Sequence, residues 1–149
     1  MREAVMSAVY DPTNIFAKIL RGEIPCVKVF EDDKTLAFMD VMPRADGHVL
    51  VVSKTPSRNL FDIPGDALSE LILRVQKVAV AVKRGTGAEG VTLHQFNEPA
   101  GGQSVFHIHF HVIPRWEGEA LRPHGGAMTD PAALEAHAAK IRAALNESP

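Results

Sequence analysis

The chain has a single cysteine, Cys26, a single tryptophan and a single tyrosine among 149 residues. A lone cysteine closes no intramolecular disulfide and signals no oxidising compartment. Charge of one sign is scarce as well: 16 basic against 18 acidic side chains leave a formal net charge of -2, which gives no general attraction to a polyanion. Nucleic acid is therefore not an expected partner, and any phosphate recognition has to be local. Long hydrophobic runs are missing too. The N-terminal MREAVMSAVYDP has no continuous apolar stretch of signal-peptide length, and no segment has the roughly 20 apolar residues that span a bilayer. A cytoplasmic protein without a membrane partner is the expectation. What is present is ordinary for a globular domain, with 46% hydrophobic and 23% charged residues, enough for one well-filled core.

Local pattern gives the order of elements. Asp11-Pro12-Thr13 signals a short helix carrying Ile15, Phe16 and Ile19 at helical spacing, ended by Gly22. CVKVF and KTLAF, separated by the turn-forming Glu31-Asp32-Asp33, read as a hairpin, and HVLVVS as a third strand. From Asp66 to about Arg84, Leu68, Leu71, Ile72, Val75, Val78, Ala79 and Val82 predict the main helix, broken at Gly85-Thr86-Gly87. VTLHQF alternates as a strand, NEPAGGQS is a loop, and HIHFHVI is the last strand. Beyond a polar, glycine-rich stretch, Asp130-Pro131 opens an alanine-rich helix near 130–146. Helix, strands, helix, strands and tail helix predict an α+β fold of mainly antiparallel strands.

His107, His109 and His111 alternate with Ile108, Phe110 and Val112. On a strand this puts three imidazoles on one face and three apolar side chains into the core. Successive imidazoles on that face stand roughly 7 Å apart at the backbone, where like-charge repulsion keeps at least one neutral and nucleophilic. The same pattern suits a solvated strand face or three ligands for zinc. The loop just ahead favours phosphate over both: Gly101-Gly102-Gln103-Ser104 lets backbone amides and a hydroxyl approach an anion closely. Asn97, at the end of the preceding strand, offers an amide donor to the same place.

HIHFHVI fits the signature His-φ-His-φ-His-φ-φ, φ being apolar. With NIFAKILRGEIP, VFEDDKTLAFMD, GHVLVVSK and NEPAGGQSVFHIHFHVIPR, the chain resembles the nucleotide-binding, phosphoramidase-like branch of the histidine triad superfamily. The resemblance runs from Asn14 to Arg115. It implies a loose arm over residues 1–11, the family domain over 12–115 and a C-terminal extension over 116–149. It further implies a five-stranded antiparallel sheet with a short N-terminal helix and a long central one, paired as a homodimer.

By motif position, His109 matches the family nucleophile, attacking an α-phosphorus to form a nucleotidyl-histidine that water hydrolyses. His107 and His111 match residues that orient the ring and contact phosphate. Asn97, Gly102, Gln103 and Ser104 match the phosphate loop, with Ser104 also assisting the leaving amine. Asp40 matches the ribose-binding acid, and Ile15, Phe16, Ile19, Phe38 and Val41 the apolar slot for a purine base. His48 takes a supporting role. The implied activity is hydrolysis of purine nucleoside phosphoramidates or related nucleoside-monophosphate derivatives, with no cofactor. Dinucleoside polyphosphate hydrolysis and nucleotide-binding regulation with vestigial catalysis are the alternatives. Many bacterial relatives hold structural zinc with a Cys-x-x-Cys pair and histidines matching His48 and His107. Asn14-Ile15-Phe16-Ala17 replaces that pair here and Cys26 lies elsewhere, so no metal is expected.

Overall fold

The computed structural model describes residues 9–123 and 125–147. The arm expected over residues 1–11 thus lies mostly outside the described residues. Helix α1, Ile15–Leu20, is capped one residue later than the Asp11-Pro12-Thr13 signal. Asn14 Oδ1 accepts from the amide of Ala17 at 2.9 Å, while Asp11 takes the Thr13 amide at 2.8 Å and shapes the turn before the cap. Gly22, at φ +79°, follows the helix end as its sequence position predicts.

Five strands follow the expected order with boundaries moved by a residue or two: β1, Lys28–Glu31; β2, Thr35–Met39; β3, Val49–Ser53; β4, Gly90–His94; and β5, His109–Arg115. They form one sheet in the order β1-β2-β3-β5-β4, antiparallel throughout. Strand alternation divides the core between the two faces. Ala37, Met39, Val49, Val51 and Val112 pack beneath the two long helices. Leu36, Phe38, Leu50 and Val52 turn the other way and pack with Phe16 of α1. Leu50 stands opposite His111 and Val52 opposite His109, so register places both imidazoles on the α1 face.

The central helix α2, Gly65–Thr86, buries Leu71, Val75, Val78 and Val82 completely. Ile72, predicted on the same stripe, is instead 43% exposed, because it lies a 100° step round from Leu71, outside the buried arc. The helix also runs through the expected break: Gly85 and Thr86 are helical, and Gly87 alone adopts the left-handed cap conformation. The C-terminal helix α3, Pro131–Glu147, explains why. Its Leu134, Ala138, Ile141 and Ala144 join the core beneath the sheet, so the extension is an integral layer of the fold. Full burial of Leu134 and Ile141 stabilises the domain by roughly 1.5–3 kcal/mol each. No described helix is long and apolar enough to cross a membrane.

Gly85 is where the two helices meet. A Cβ there would stand 2.8 Å from the carbonyl oxygen of Lys140 and 3.0 Å from Ile141 Cα, and both are backbone. Alanine normally favours a helix over glycine by about 1 kcal/mol, yet Gly85→Ala is expected to lower stability by about 1–3 kcal/mol through overpacking. Urea unfolding checks this: a raised midpoint would mean that α3 yields easily.

Candidate active site

The site grows from the start of β5. His109 and His111 lie on the strand with their imidazoles on the α1 face, as expected. His107 does not share that geometry, because the strand begins two residues after it. The Ile108 amide donates to the Ser57 carbonyl, which draws the chain towards the loop after β3. The His107 ring is fully buried, with Nε2 at 2.7 Å from the Ser53 carbonyl oxygen and Nδ1 at 2.6 Å from the Tyr10 hydroxyl. Burial pushes its pKa below the ordinary imidazole value, so the ring is neutral at pH 7.

Backbone groups fix one nitrogen of His107, His109 and His48, because an amide only donates and a carbonyl only accepts, and the neutral tautomer follows from it. His107 Nε2 faces a carbonyl and carries the proton. His109 Nδ1 lies 2.7 Å from the His107 carbonyl oxygen, so it is an N–H and the lone pair falls on Nε2. The Arg44 amide donates to His48 Nδ1 at 3.0 Å, which puts the His48 proton on Nε2. That proton points to His111 Nδ1 at 3.0 Å, so the neutral tautomer of His111 carries its proton on Nε2. The Phe16 ring stands edge-on to His109 with centroids 4.8 Å apart, and His109 and His111 are 5.1 Å apart. A lone pair and an N–H donor therefore sit side by side on one strand face.

The loop between β4 and β5 departs from the expected cradle. Its residues Pro99–Gly101 form a 3-10 turn, which directs the Gly101 amide to the Glu98 carbonyl, the Gly102 amide to the Pro99 carbonyl and the Gln103 amide to the Glu98 carbonyl. These amides close the loop on itself. Gln103 uses its whole side chain in the same way. Its Oε1 accepts from the Glu98 amide and Asn59 Nδ2 at 2.8 and 3.0 Å, and its Nε2 donates to the carbonyls of Arg58 and Val105. Asn97 accepts from the Leu60 amide at 2.8 Å and exchanges bonds with Gln95. Ser104 stands exposed at the end of the loop. Gly102 is required at φ +96°, where a Cβ would also stand 3.3 Å from the Phe96 ring. Phe96 in turn packs against His111 at 5.6 Å.

The residues expected to hold the nucleoside separate into buried and accessible groups. Phe16 and Phe38 are buried edge to face, 5.5 Å between centroids, with Ile19 packed beside them. Ile15 and Val41 are exposed. Asp40 holds the Met42 amide with Oδ1 at 2.9 Å, while Oδ2 lies 3.5 Å from His48 Nε2. Asp40, His48 and His111 could contact one metal ion by distance alone. Their chemistry does not fit one, because the proton required on His48 Nε2 occupies the ligand position. A structural zinc at residues 14 and 17 fits no better: Ala17 has no donor, and the Asn14 side chain caps α1.

Sequence reasoning missed Tyr10, Arg58, Asn59 and Glu98. Tyr10 is the chain's one tyrosine, placed before the first helix, and nothing local ties it to a histidine 97 residues away. Glu98 has φ +69° and ψ 160°, a region rare for any residue but glycine. Arg58 grips its carboxylate at two points, 2.8 and 3.0 Å, and Asn59 adds a third at 2.6 Å. The acidic residue beside the polar loop, with an arginine and an asparagine after the third strand, was the available signal.

Such a constellation, a β-strand presenting two oriented imidazoles beside a rigid polar loop, defines a histidine-triad site. The HIT domain family model matches residues 21–118, and the chain belongs to that family. A Hit-like protein involved in cell-cycle regulation from Bartonella henselae has a crystal structure that aligns with a TM-score of 0.86. The two are 52% identical, and the alignment covers 91% of this chain and 99% of that one. The adenosine 5'-monophosphoramidase HNT1 of Candida albicans is 39% identical over 105 residues, 68% of this chain and 69% of its own length. The adenylylsulfatase HINT3 of Arabidopsis thaliana is 36% identical over 116 residues, 74% of this chain and 59% of its own length.

The Arg58 guanidinium beside Glu98 holds that carboxyl below its ordinary value. A carboxylate lowered on folding contributes stability above its unfolded pKa of about 4.3 and loses it as pH falls through the lower folded value. Glu98→Gln is therefore expected to lose about 0.5–1 kcal/mol at pH 7. Its deficit against the parent should shrink below pH 4, read by thermal melts across pH. A deficit constant down to pH 2 would sink the ionic assignment.

Proposed function

We propose that the chain is a nucleotide hydrolase that cleaves purine nucleoside phosphoramidates, or related nucleoside-monophosphate derivatives, through a nucleotidyl-His109 intermediate. The observation that carries this reading is the 2.7 Å contact from His109 Nδ1 to the His107 carbonyl. It keeps the proton on Nδ1 and the nucleophilic lone pair on Nε2, on the face that Phe16 and His111 share. The relatives named as an adenosine 5'-monophosphoramidase and an adenylylsulfatase support the same class of chemistry.

In this mechanism His109 Nε2 attacks the α-phosphorus, forming a P–N bond to imidazole as the bond to the leaving amine breaks. The departing nitrogen takes a solvent proton relayed by the exposed Ser104 hydroxyl. The imidazole becomes cationic, and its Nδ1–H bond to the His107 carbonyl strengthens as charge develops. The Nε2 proton of His111 steadies the non-bridging phosphoryl oxygens. Water then attacks phosphorus, the P–N bond to His109 breaks, and the proton that water releases returns to solvent. Asp40 accepts from the ribose hydroxyls, and Phe16 with Phe38 backs the base against Ile15, Ile19 and Val41. Asn97, Gly102 and Gln103 act through the loop that carries Ser104.

A homodimer is the proposed working form. Strand β4 is an edge of the sheet, and Leu93 on it is exposed along with Ile72, Leu73 and Val80 of α2, apolar surface of the kind that self-association covers. Sedimentation of the wild type should return twice the 16.2 kDa chain mass, whereas a monomer at high concentration would remove this part.

His109→Ala is expected to lower release of AMP from adenosine 5'-phosphoramidate by at least about a thousandfold, in chelator, while AMP still binds. Mass spectrometry of quenched wild type should find one adenylyl group on the peptide containing His109. Turnover that survives the substitution would move the nucleophile elsewhere, and no turnover in the wild type would leave a nucleotide-binding protein.

A further inference from the structure

Tyr10 lies outside every element of the fold, yet its hydroxyl is tied into the histidine strand. The Asn14 amide Nδ2 donates to that oxygen at 3.0 Å. With an acceptor site filled, the hydroxyl proton is directed at its other close neighbour, His107 Nδ1, at 2.6 Å. The opposite ring nitrogen faces the Ser53 carbonyl at 2.7 Å and must be an N–H. The two contacts are complementary: one requires a proton on Nε2, the other requires a lone pair on Nδ1. The ring edges of Tyr10 and His107 also meet, with centroids 5.6 Å apart at 68°.

We infer that Tyr10 is a positioning residue of the histidine site, holding the setting of the His107 ring so that the His107 carbonyl stays aimed at His109 Nδ1. The role rests on His109 being the nucleophile. It adds that the nucleophile's orientation is set from the segment ahead of α1, through one phenol and one amide. Without the hydroxyl, a fully buried imidazole nitrogen is left with no donor. The ring then gains by rotating towards another donor, since an unsatisfied buried acceptor is costly, whereas exchanging tautomers would set a bare Nε2 against the Ser53 carbonyl. Its backbone carbonyl moves with it, and displacement of an aligned reacting group by about 1 Å costs up to about a hundredfold in rate. Tyr10 bonds His107 and Asn14, neither of which contacts substrate in the mechanism above, so KM is expected to hold.

The test uses the full chain with nitrogen-15 histidine. In the wild type the His107 resonances should report a protonated Nε2 and an unprotonated Nδ1 at pH 7; a proton on Nδ1 overturns the inference without any variant. In Tyr10→Phe, which keeps the ring, the expected result is a His107 Nδ1 resonance moved by the loss of its hydrogen bond, with the proton still on Nε2, and a moved His109 Nδ1–H resonance. Alongside it, kcat for adenosine 5'-phosphoramidate should fall about tenfold to a hundredfold with KM changed less than about twofold. A variant that melts earlier but keeps the wild-type His109 Nδ1–H resonance and kcat makes Tyr10 merely structural and overturns the proposal. Loss of activity with the His109 Nδ1–H resonance unchanged overturns it too. Wild-type turnover and its loss in His109→Ala are measured in the same series, so failure of the nucleophile assignment is seen separately.

Discussion

The hydrogen bond from His109 Nδ1 to the carbonyl of His107 is the contact on which the rest of the site depends. It is short, 2.7 Å, buried, and made to the backbone two residues earlier, so it cannot be retuned without moving the chain. A strand could not supply it, because extended backbone carries carbonyls sideways into the ladder. The chain therefore enters β5 only at His109, after a turn anchored by the Ile108 amide on Ser57. The departure of His107 from the strand is what allows the histidine that follows to be oriented.

Rigidity elsewhere serves that geometry. The loop before the histidines uses its own amides and the Gln103 side chain to close on itself, and the Arg58–Glu98 pair fastens it to the segment after β3. A strained conformation at Glu98 persists because several hydrogen bonds hold it. On the opposite face of the sheet, α2 and α3 bury the apolar halves of the same strands. A stiff, two-sided sheet is what keeps imidazoles 5.1 Å apart in a fixed relation.

Much of this was legible in the chain. The alternation through HIHFHVI assigned His109 and His111 to one face because a strand has a period of two. The stripe on α2 and the capping signal at Asp130-Pro131 came from helical spacing. The continuation of α2 through Gly85 was not legible, since a glycine pair normally breaks a helix and only the close approach of α3 gives Gly85 another purpose. Ile72 looked like core for the related reason that one helix does not reveal how wide its buried arc is. In the site, the motif named the loop but not its wiring: Gln103 reads as a donor for an anion until its partners from residues 58 and 59 are in place.

The sequence by itself determined the family, the antiparallel α+β architecture and the placing of His109 and His111 on one strand face, because these follow from local periodicity and a dense motif. The tertiary structure alone decided which nitrogen of His48, His107, His109 and His111 carries the proton in the neutral ring. That depends on groups brought from Tyr10, Arg44 and Ser53, far apart in sequence, and a proton's place on an imidazole is settled by whichever donor or acceptor the fold sets against each nitrogen.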